Sequence, residues 1–224
     1  NVFRGKTVLL PCDDPEWSNF TKYFAQNFEA LGLKKLISTS YAINSKVIKA
    51  GIQTSFLETT SPKFDKSKTN THGKIFVLEK DNTGDGKINL EDLEWDYLEG
   101  DGDFRSEEVK KLRDEADIIV TNPPFSLFRE FLAWIVEADK QFIILGNINC
   151  ITYKEVFPLF KYNKMWLGVT NFNRGMFFRV PDDFEYAPTY KFDKEINGIK
   201  VNRVAGICWY TNIEHGRRHH PLNL

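Results

Sequence analysis

The sequence contains few cysteines and no long apolar segment. Its three cysteines, Cys12, Cys150 and Cys208, lie far apart and form no Cys-x-x-Cys pair. This spacing argues against a disulfide framework or a zinc knuckle and favours a reducing, cytoplasmic compartment. No apolar run approaches the ~20 residues that a membrane-spanning helix needs, and no signal peptide is visible. These absences predict a protein with neither a metal site nor a membrane partner.

The sequence also lacks an excess of charge of one sign. Its 30 Lys and Arg residues face 31 Asp and Glu residues, which leaves a formal net charge of -1. Overall charge therefore gives no argument for nucleic acid as a partner, although a local basic surface stays compatible with it. The 224 residues, 42% of them hydrophobic, suffice to bury the core of one domain.

Short apolar segments alternate with amphipathic ones along the chain. Strands are predicted at residues 7–10, 36–39, 75–78, 88–95, 117–121, 142–145, 165–169, 176–180 and 204–210, and helices at 14–31, 106–114, 126–136 and 155–162. In the first helix, Asp14 is the expected N-cap, Pro15 the first helical residue and Gly32 the C-cap. The alternation predicts an α/β fold with a mostly parallel sheet, helices on both faces and a β-hairpin insertion around residues 52–98.

One turn follows a buried strand and carries unusual chemistry for that place. After the strand that ends at Thr121 come Asn122, Pro123, Pro124 and Phe125, and a helix is predicted to begin directly afterwards. In an open α/β sheet, ligands bind beyond the carboxyl ends of the strands. Two prolines remove backbone donors and stiffen this turn. A rigid connection between strand and helix is the alternative interpretation.

The Asn-Pro-Pro-Phe turn has the groups needed to hold an exocyclic amine. The amide oxygen of Asn122 and the carbonyl oxygen of Pro123 can each accept a hydrogen bond from one amino group. The prolines fix these acceptors before reaction, and Phe125 can stack on a planar base. Two acceptors would draw the nitrogen lone pair out of conjugation with the ring and toward an electrophile. This arrangement is suited to methyl transfer from a sulfonium to an amino nitrogen.

Three segments together resemble a known family of enzymes. The segments "LLPCDDPEWSNF", "GDGDFRS" and "LRDEADIIVTNPPFSLFREF", in this order, are similar to those of the EcoRI-type adenine-specific DNA methyltransferases. The resemblance implies a Rossmann-like fold, S-adenosylmethionine as the methyl donor and adenine in double-stranded DNA as the substrate. It also implies a base that leaves the duplex to reach Asn122. We therefore expect residues 1–224 to form one catalytic domain of a longer protein that continues before Asn1 and beyond the chain's end.

The resemblance also assigns roles to individual residues. The turn from Pro11 through Cys12 and Asp13 to Asp14 would face the methionine part of the cofactor, and Asp103 and Phe104 would lie near its adenine. Most such enzymes have glycines in the first turn, and an acidic residue after the second strand binds the ribose. Here the first turn has no glycine. The second strand ends in "STSY", which has no acidic residue and offers only Ser38, Ser40 and Tyr41, of which Ser40 is the expected ribose contact.

A second motif favours a different function. In "DNTGDGKINLED", Asp81, Thr83, Asp85, Asn89 and Asp92 stand at ligand positions of a calcium loop, with Gly86 at the turn position. The segment before it is strand-like, where a helix is expected, and its last position is Asp rather than Glu. The motif keeps a non-enzymatic calcium-binding module as an alternative function.

Two basic segments are candidates for contacts with DNA phosphates. They are the lysines of a polar loop (Lys63, Lys66, Lys68 and Lys74) and the segment "HGRRHH" at residues 215–220. Solvated surface is the alternative for both. An RNA base or a protein glutamine amide is the alternative substrate. A cognate restriction endonuclease is a further expected partner, and the expected oligomeric state is a monomer.

Overall fold

The computed structural model describes residues 1–14, 18–42, 63–170 and 175–219. It divides the chain into two compact units, Asn1–Ile144 and Leu145–Leu224. The prediction of a single domain stays a prediction. The predictions for Pro15, for residues 52–62 of the polar loop and for His220 lie outside the described residues.

Among the described residues, the first unit contains six strands and four helices. The strands are β1 (Thr7–Leu10), β2 (Lys35–Ser40), β3 (Lys74–Leu78), β4 (Glu94–Tyr97), β5 (Ile118–Thr121) and β6 (Gln141–Asn147, which continues past Ile144). The helices are α1 (Asn19–Gln26), α2 (Phe28–Leu31), α3 (Glu107–Glu115) and α4 (Phe128–Glu137). The strands lie in the order β4-β3-β2-β1-β5-β6. The pairs β1–β2, β1–β5 and β5–β6 are parallel, and β3 pairs antiparallel with β2 and with β4.

This topology confirms the predicted α/β fold with a mostly parallel, Rossmann-like sheet. All four residues of β1 and all four of β5 are buried, as expected for central parallel strands. Helix α4 buries five side chains, those of Phe128, Phe131, Leu132, Trp134 and Ile135. Each such side chain contributes about 1.5–3 kcal/mol when fully buried. The apolar periodicity of the sequence therefore indicated the core correctly.

The second unit contains shorter elements. They are α5 (Phe157–Lys161), β7 (Trp166–Leu167), β8 (Met176–Arg179), β9 (Glu195–Ile196), β10 (Ile199–Val204) and β11 (Ile207–Thr211). Strand β11 pairs antiparallel with β7, and β8, β10 and β9 form a three-stranded antiparallel sheet. The sequence pattern did not predict β9 or most of β10, because the strand predicted at 204–210 overlaps β10 only at Val204 and otherwise covers β11. Gly206, which has φ +74°, separates those two strands.

Three predicted element boundaries were wrong for local reasons. Helix α1 begins at Asn19 rather than after Asp14, because the Ser18 side chain accepts the N–H groups of Phe20 and Thr21 and caps the helix. The segment predicted as a strand at 88–95 begins with a 3-10 turn, Leu90–Asp92, before β4. A second 3-10 turn, Phe125–Leu127, precedes α4. Within the described ranges, no helix has the length and apolarity needed to cross a membrane.

Candidate active site

A cavity of about 590 Å³ lies in the first unit where β1, β2 and β5 end. Cys12 lies just beyond the end of β1, Tyr41 follows β2 and Asn122 follows β5, and all three residues line it. The chain passes from β1 to β2 on one side and returns as β5 on the other. Such a switch point leaves a crevice at the carboxyl edge of the sheet. The volume falls in the range of about 300–1,000 Å³ that is typical of small-molecule sites.

Most of the predicted site residues meet in this cavity. Its lining consists of Cys12, Tyr41, Asp103, Phe104, Asn122, Pro123, Pro124, Phe125 and Leu127. Leu127 was not predicted, whereas Tyr41 was one of the three polar candidates at the end of β2. Four predicted residues do not line it, namely Pro11, Asp13, Asp14 and Ser40.

The Asn-Pro-Pro-Phe turn forms one wall of the cavity. Pro123 is buried, whereas Asn122 and Pro124 are exposed and the Phe125 side chain is 43% exposed. The carbonyl of Pro124 accepts the N–H of Leu127 at 2.9 Å, which closes the 3-10 turn. The Pro124 carbonyl is therefore engaged within the turn itself. The Asn122 amide has no hydrogen-bond partner within the described ranges.

The turn after β1 achieves a glycine-like conformation without glycine. Cys12 has φ +67°, in the left-handed region that non-glycine residues rarely adopt. Its N–H donates to the Thr39 hydroxyl at 3.3 Å, which ties the turn to β2. The missing glycines therefore do not prevent the backbone from turning toward the cavity.

Three of the residues predicted to bind the cofactor, Pro11, Asp13 and Ser40, do not line the cavity and form hydrogen bonds within the fold. The carboxylate of Asp13, 6% exposed, accepts the hydroxyls of Thr121 at 2.5 Å and Ser18 at 2.7 Å. Burial raises the pKa of Asp13 to about 6, against the opposing effect of these hydrogen bonds. The Pro11 carbonyl also lies 2.7 Å from the Thr121 hydroxyl. The Ser40 hydroxyl accepts the N–H of Lys74 at 3.2 Å and joins β2 to β3.

A charged network surrounds Asp103, which also lines the cavity. Arg105 donates to its two carboxylate oxygens through Nε at 2.9 Å and Nη2 at 2.6 Å, and the Tyr41 hydroxyl lies 3.3 Å from Oδ2. The Arg105 guanidinium lowers the pKa of Asp103, so this side chain stays ionised. Burial, together with Asp101 and Asp103, raises the pKa of Tyr41 to about 12, so the phenol keeps its proton.

The wall next to Asp103 is anchored in the apolar core. Phe104 is 3% exposed, and its ring meets those of Phe131 and Trp134 edge-on, with centroids 5.1 and 5.7 Å apart. Arg105 also bridges to Glu130 of α4 at 3.2 Å. The loop that carries Asp103 is thus fixed to the helix that follows the Asn-Pro-Pro-Phe turn.

The carboxylates predicted to bind calcium in the loop after β3 accept hydrogen bonds from the backbone of that loop. Asp92, 1% exposed, accepts the N–H groups of Asn82, Thr83 and Asn89. Asp81 accepts those of Gly84 and Gly86. Among the described residues, no group of three or more His, Cys, Asp or Glu side chains is placed to hold a metal ion.

The basic segments are partly engaged within the fold. Lys74 is 7% exposed, so the prediction that it contacts phosphates was wrong. Lys63 donates to the carbonyl of Trp95 at 2.9 Å. In the second unit, the guanidinium of Arg218 lies 3.6 Å from the centroid of the Trp166 ring and pairs with Glu214.

The mostly parallel sheet and the Asn-Pro-Pro-Phe turn at its switch point are typical of Rossmann-like methyltransferases, which is the class of this protein. The family model described as "Adenine-specific methyltransferase EcoRI" matches residues 1–224. The chain therefore belongs to the EcoRI family of adenine-specific methyltransferases.

Curated relatives agree with this assignment. The chain is 42% identical over 224 residues to the type II methyltransferase M.EcoRI of Escherichia coli, covering 99% of this chain and 62% of the relative. It is 34% identical to M.MpnI of Mycoplasma pneumoniae, with coverages of 96% and 56%. It is also 34% identical to M.MgeORF184P of Mycoplasma genitalium, with coverages of 97% and 57%. The chain thus spans about three-fifths of the length of these relatives. No solved structure matches it significantly.

Proposed function

We propose that this chain transfers a methyl group from S-adenosylmethionine to the 6-amino group of adenine in double-stranded DNA. One observation carries the proposal: a single cavity joins the Asn-Pro-Pro-Phe turn to the turn after β1 and the loop at Asp103. The family and the names of the relatives, type II methyltransferases, agree with DNA adenine as the substrate.

The cavity fits the proposed cofactor in size and chemistry. We propose that Asp103, Phe104 and Tyr41 hold its adenosine part and that the turn at Cys12 faces its methionine part. The ionised Asp103 accepts hydrogen bonds, Tyr41 can donate one, and the ring of Phe104 provides an apolar surface. When bound, S-adenosylmethionine supplies an electrophilic methyl group on a sulfonium. Pro11, Asp13, Asp14 and Ser40 lie outside the lining and are not part of this proposal.

The Asn-Pro-Pro-Phe turn holds the amine. The Asn122 amide oxygen and the Pro123 carbonyl accept the two N–H groups of adenine, and Phe125 stacks on the ring. Nitrogen forms a bond to the methyl carbon while the sulfur–carbon bond breaks and sulfur keeps its electron pair. The nitrogen then loses a proton to solvent, so the turn needs no strong base. Extruding the base from the duplex costs a few kcal/mol, which stacking on Phe125 helps to offset.

Substitution of Asn122 tests this arrangement. We expect Asn122→Ala to lower methyl transfer by at least about 10²-fold, since one fixed acceptor is lost in the transition state. Cofactor affinity should stay nearly constant, because Cys12, Tyr41, Asp103 and Phe104, which are proposed to contact the cofactor, are retained. Radiolabelled methyl transfer to unmethylated duplex DNA measures the rate, and calorimetry measures cofactor binding.

The matched control is Ser126→Ala, because Ser126 is an exposed residue of the adjoining 3-10 turn and does not line the cavity. Near wild-type turnover in Asn122→Ala would contradict the mechanism. Assays with RNA and peptide substrates, followed by mass analysis of the methylated product, separate the alternative substrates. Methylation of either one in preference to DNA would overturn the DNA assignment.

The remaining features of the proposal concern the whole protein. We propose that residues 1–224 act as one catalytic domain with the β3–β4 hairpin as an insertion, and that the protein is a monomer. A restriction endonuclease of the same specificity is the proposed partner, and a cytoplasmic location suits such a pair. Sedimentation velocity with and without duplex DNA tests the oligomeric state.

A further inference from the structure

The last residue of β5 links the two turns that border the cavity. Thr121 is fully buried, and its hydroxyl oxygen lies 2.7 Å from the Pro11 carbonyl oxygen and 2.5 Å from Oδ2 of Asp13. Both partners belong to the turn after β1. We use the name strand-end link for these two contacts of the Thr121 hydroxyl.

The side of the link that belongs to β1 is held rigidly. Oδ1 of Asp13 accepts the hydroxyl of Ser18, which is the residue that caps α1. The backbone carbonyl of Asp13 accepts the hydroxyl of Thr21 of α1 at 3.0 Å and that of Ser38 of β2. Thr21 and Ser38 are fully buried. The turn is therefore anchored to α1 and β2 before Thr121 attaches β5 to it.

The linked residues adjoin the residues that face the cavity. Cys12 lies between Pro11 and Asp13, and Asn122 directly follows Thr121. Cys12 and Asn122 both line the cavity, whereas Pro11, Asp13 and Thr121 do not. The parallel pairing of β1 with β5 ends at Leu9 and Ile119. Beyond it, the buried hydroxyl of Thr121 adds a constraint on the separation between the turn after β1 and Asn122.

We propose that Thr121 and Asp13 are positioning residues that set the distance between the bound methyl donor and the amine held by Asn122. The inference rests on the proposed function, and it gives Asp13 a different role from that of a cofactor ligand. Reacting atoms must approach to about 3–3.5 Å, and a displacement of about 1 Å can cost about 10²-fold in rate. The strand-end link joins the residues next to Cys12 to the residue next to Asn122. It is therefore well placed to control the distance between the methyl donor and the amine.

Three variants test the strand-end link through catalysis. Thr121→Val keeps the shape but removes the hydroxyl, and we expect kcat to fall about tenfold to a hundredfold, with a much smaller change in the KM for the cofactor. Thr121→Ser restores the hydroxyl and should recover most of kcat. Thr7→Val is the matched control, because Thr7 is a buried threonine at the opposite end of β1. Equal values of kcat in Thr121→Val and Thr7→Val would overturn the proposal while leaving the methyltransferase function intact.

The role of Asp13 is tested by Asp13→Asn. The amide can donate to Thr121 and accept from Ser18, so the link persists and cofactor affinity should stay close to that of the wild type. A ligand for the cofactor's ammonium group would instead lose much of its affinity on losing its charge. A large loss of cofactor affinity in folded Asp13→Asn therefore contradicts the positioning role.

Reactivity of Cys12 provides a measurement that does not depend on catalysis. Cys12 is half-buried, whereas Cys150 and Cys208 are buried and serve as internal references. Loss of the link should loosen the turn, so N-ethylmaleimide should modify Cys12 several-fold faster in Thr121→Val than in the wild type or Thr7→Val. Mass analysis of the Cys12 peptide gives the rate. Unchanged reactivity in Thr121→Val overturns the link even if the wild type proves inactive on DNA, an outcome that would count separately against the proposed function.

Discussion

At the scale of single residues, Cys12 shows how the fold replaces an expected glycine. A left-handed conformation costs a non-glycine residue about 1–2 kcal/mol. The hydrogen bond from its N–H to Thr39 and the anchoring of both neighbours, Pro11 and Asp13, hold the residue there. Tertiary contacts thus maintain a backbone conformation that the residue itself disfavours.

Asp13 makes the stability of the protein depend on pH in an unusual direction for a carboxylate. Burial raises its pKa from 3.8 to about 6. The neutral form is therefore favoured by folding, and its contribution to stability is fully present below pH 3.8 and is lost as the pH rises through 6. The loss amounts to about 3 kcal/mol as an upper estimate from the linkage between pKa and folding.

Asp13→Asn isolates this effect, because the amide resembles the neutral acid and does not titrate. We expect the unfolding free energy of the wild type, relative to this variant, to fall by up to about 2 kcal/mol between pH 4.5 and pH 8, since part of the loss has already occurred at pH 4.5. Urea unfolding at both pH values measures the difference. Other carboxylates titrate in both proteins and cancel. A difference that does not change with pH would show that Asp13 titrates normally.

At the scale of secondary-structure elements, two glycines bring three segments into contact beside the cavity. Gly73 lies directly before β3, Gly102 lies in the loop that leads to Asp103, and both approach the end of β2. A Cβ at Gly102 would lie 2.3 Å from the carbonyl oxygen of Ser40, and the residue has φ +84°. The N–H of Ala42 also donates to the carbonyl of Asp101 at 2.7 Å. This contact places Asp103 next to Tyr41.

Gly102→Ala should therefore destabilise the protein by about 2–4 kcal/mol, since it adds backbone strain and a collision with Ser40. Gly84→Ala is the matched control, because Gly84 has φ +78° but open space around it. The control should lose only about 1–2 kcal/mol from strain. Chemical denaturation measures both variants, and equal losses would show that the close approach of the segments is unimportant.

The loop between β3 and β4 illustrates how a motif can be satisfied by local structure. Asp81 and Asp92 stand at calcium-ligand positions, yet they accept backbone N–H groups of their own loop. The hydrogen bonds from Asn89, together with those from Thr83 and Asn82, lower the pKa of Asp92. Short polar side chains commonly close turns in this way. The spacing of acidic residues that is typical of a calcium loop therefore stabilises a turn here. The loop is flanked by strands β3 and β4 and not by the two helices of a calcium-binding motif.

At the scale of the whole molecule, ligand binding distinguishes the two main functional hypotheses. S-adenosylhomocysteine, the demethylated product, should raise the unfolding free energy by about 2.7 kcal/mol at a concentration 100 times its Kd. Calcium should have no such effect, because Asp81 and Asp92 are occupied by backbone donors. Chemical denaturation in the presence of each ligand measures this. Stabilisation by calcium alone would favour the calcium-binding module.

The sequence predicted much of the fold because its signals are local. Apolar segments gave β1, β5 and α4, and the stiff residues from Asn122 to Phe125 marked the turn that borders the cavity. The predictions failed where a neighbouring segment decided the outcome. Ser18 rather than Asp14 caps α1, and Lys74 is buried although it lies next to a polar loop. Neither result depends on the residue type alone.

The sequence by itself determined the class of fold, the family and the chemistry of the Asn-Pro-Pro-Phe turn, since periodicity, motif order and residue type are properties of the linear chain. Only the tertiary structure decided which polar residues face the cavity. It turned Asp13 and Ser40 toward backbone and hydroxyl partners and brought Tyr41 to the lining. The physical reason is that burial requires each polar group to find a partner, and those partners come from segments distant in sequence.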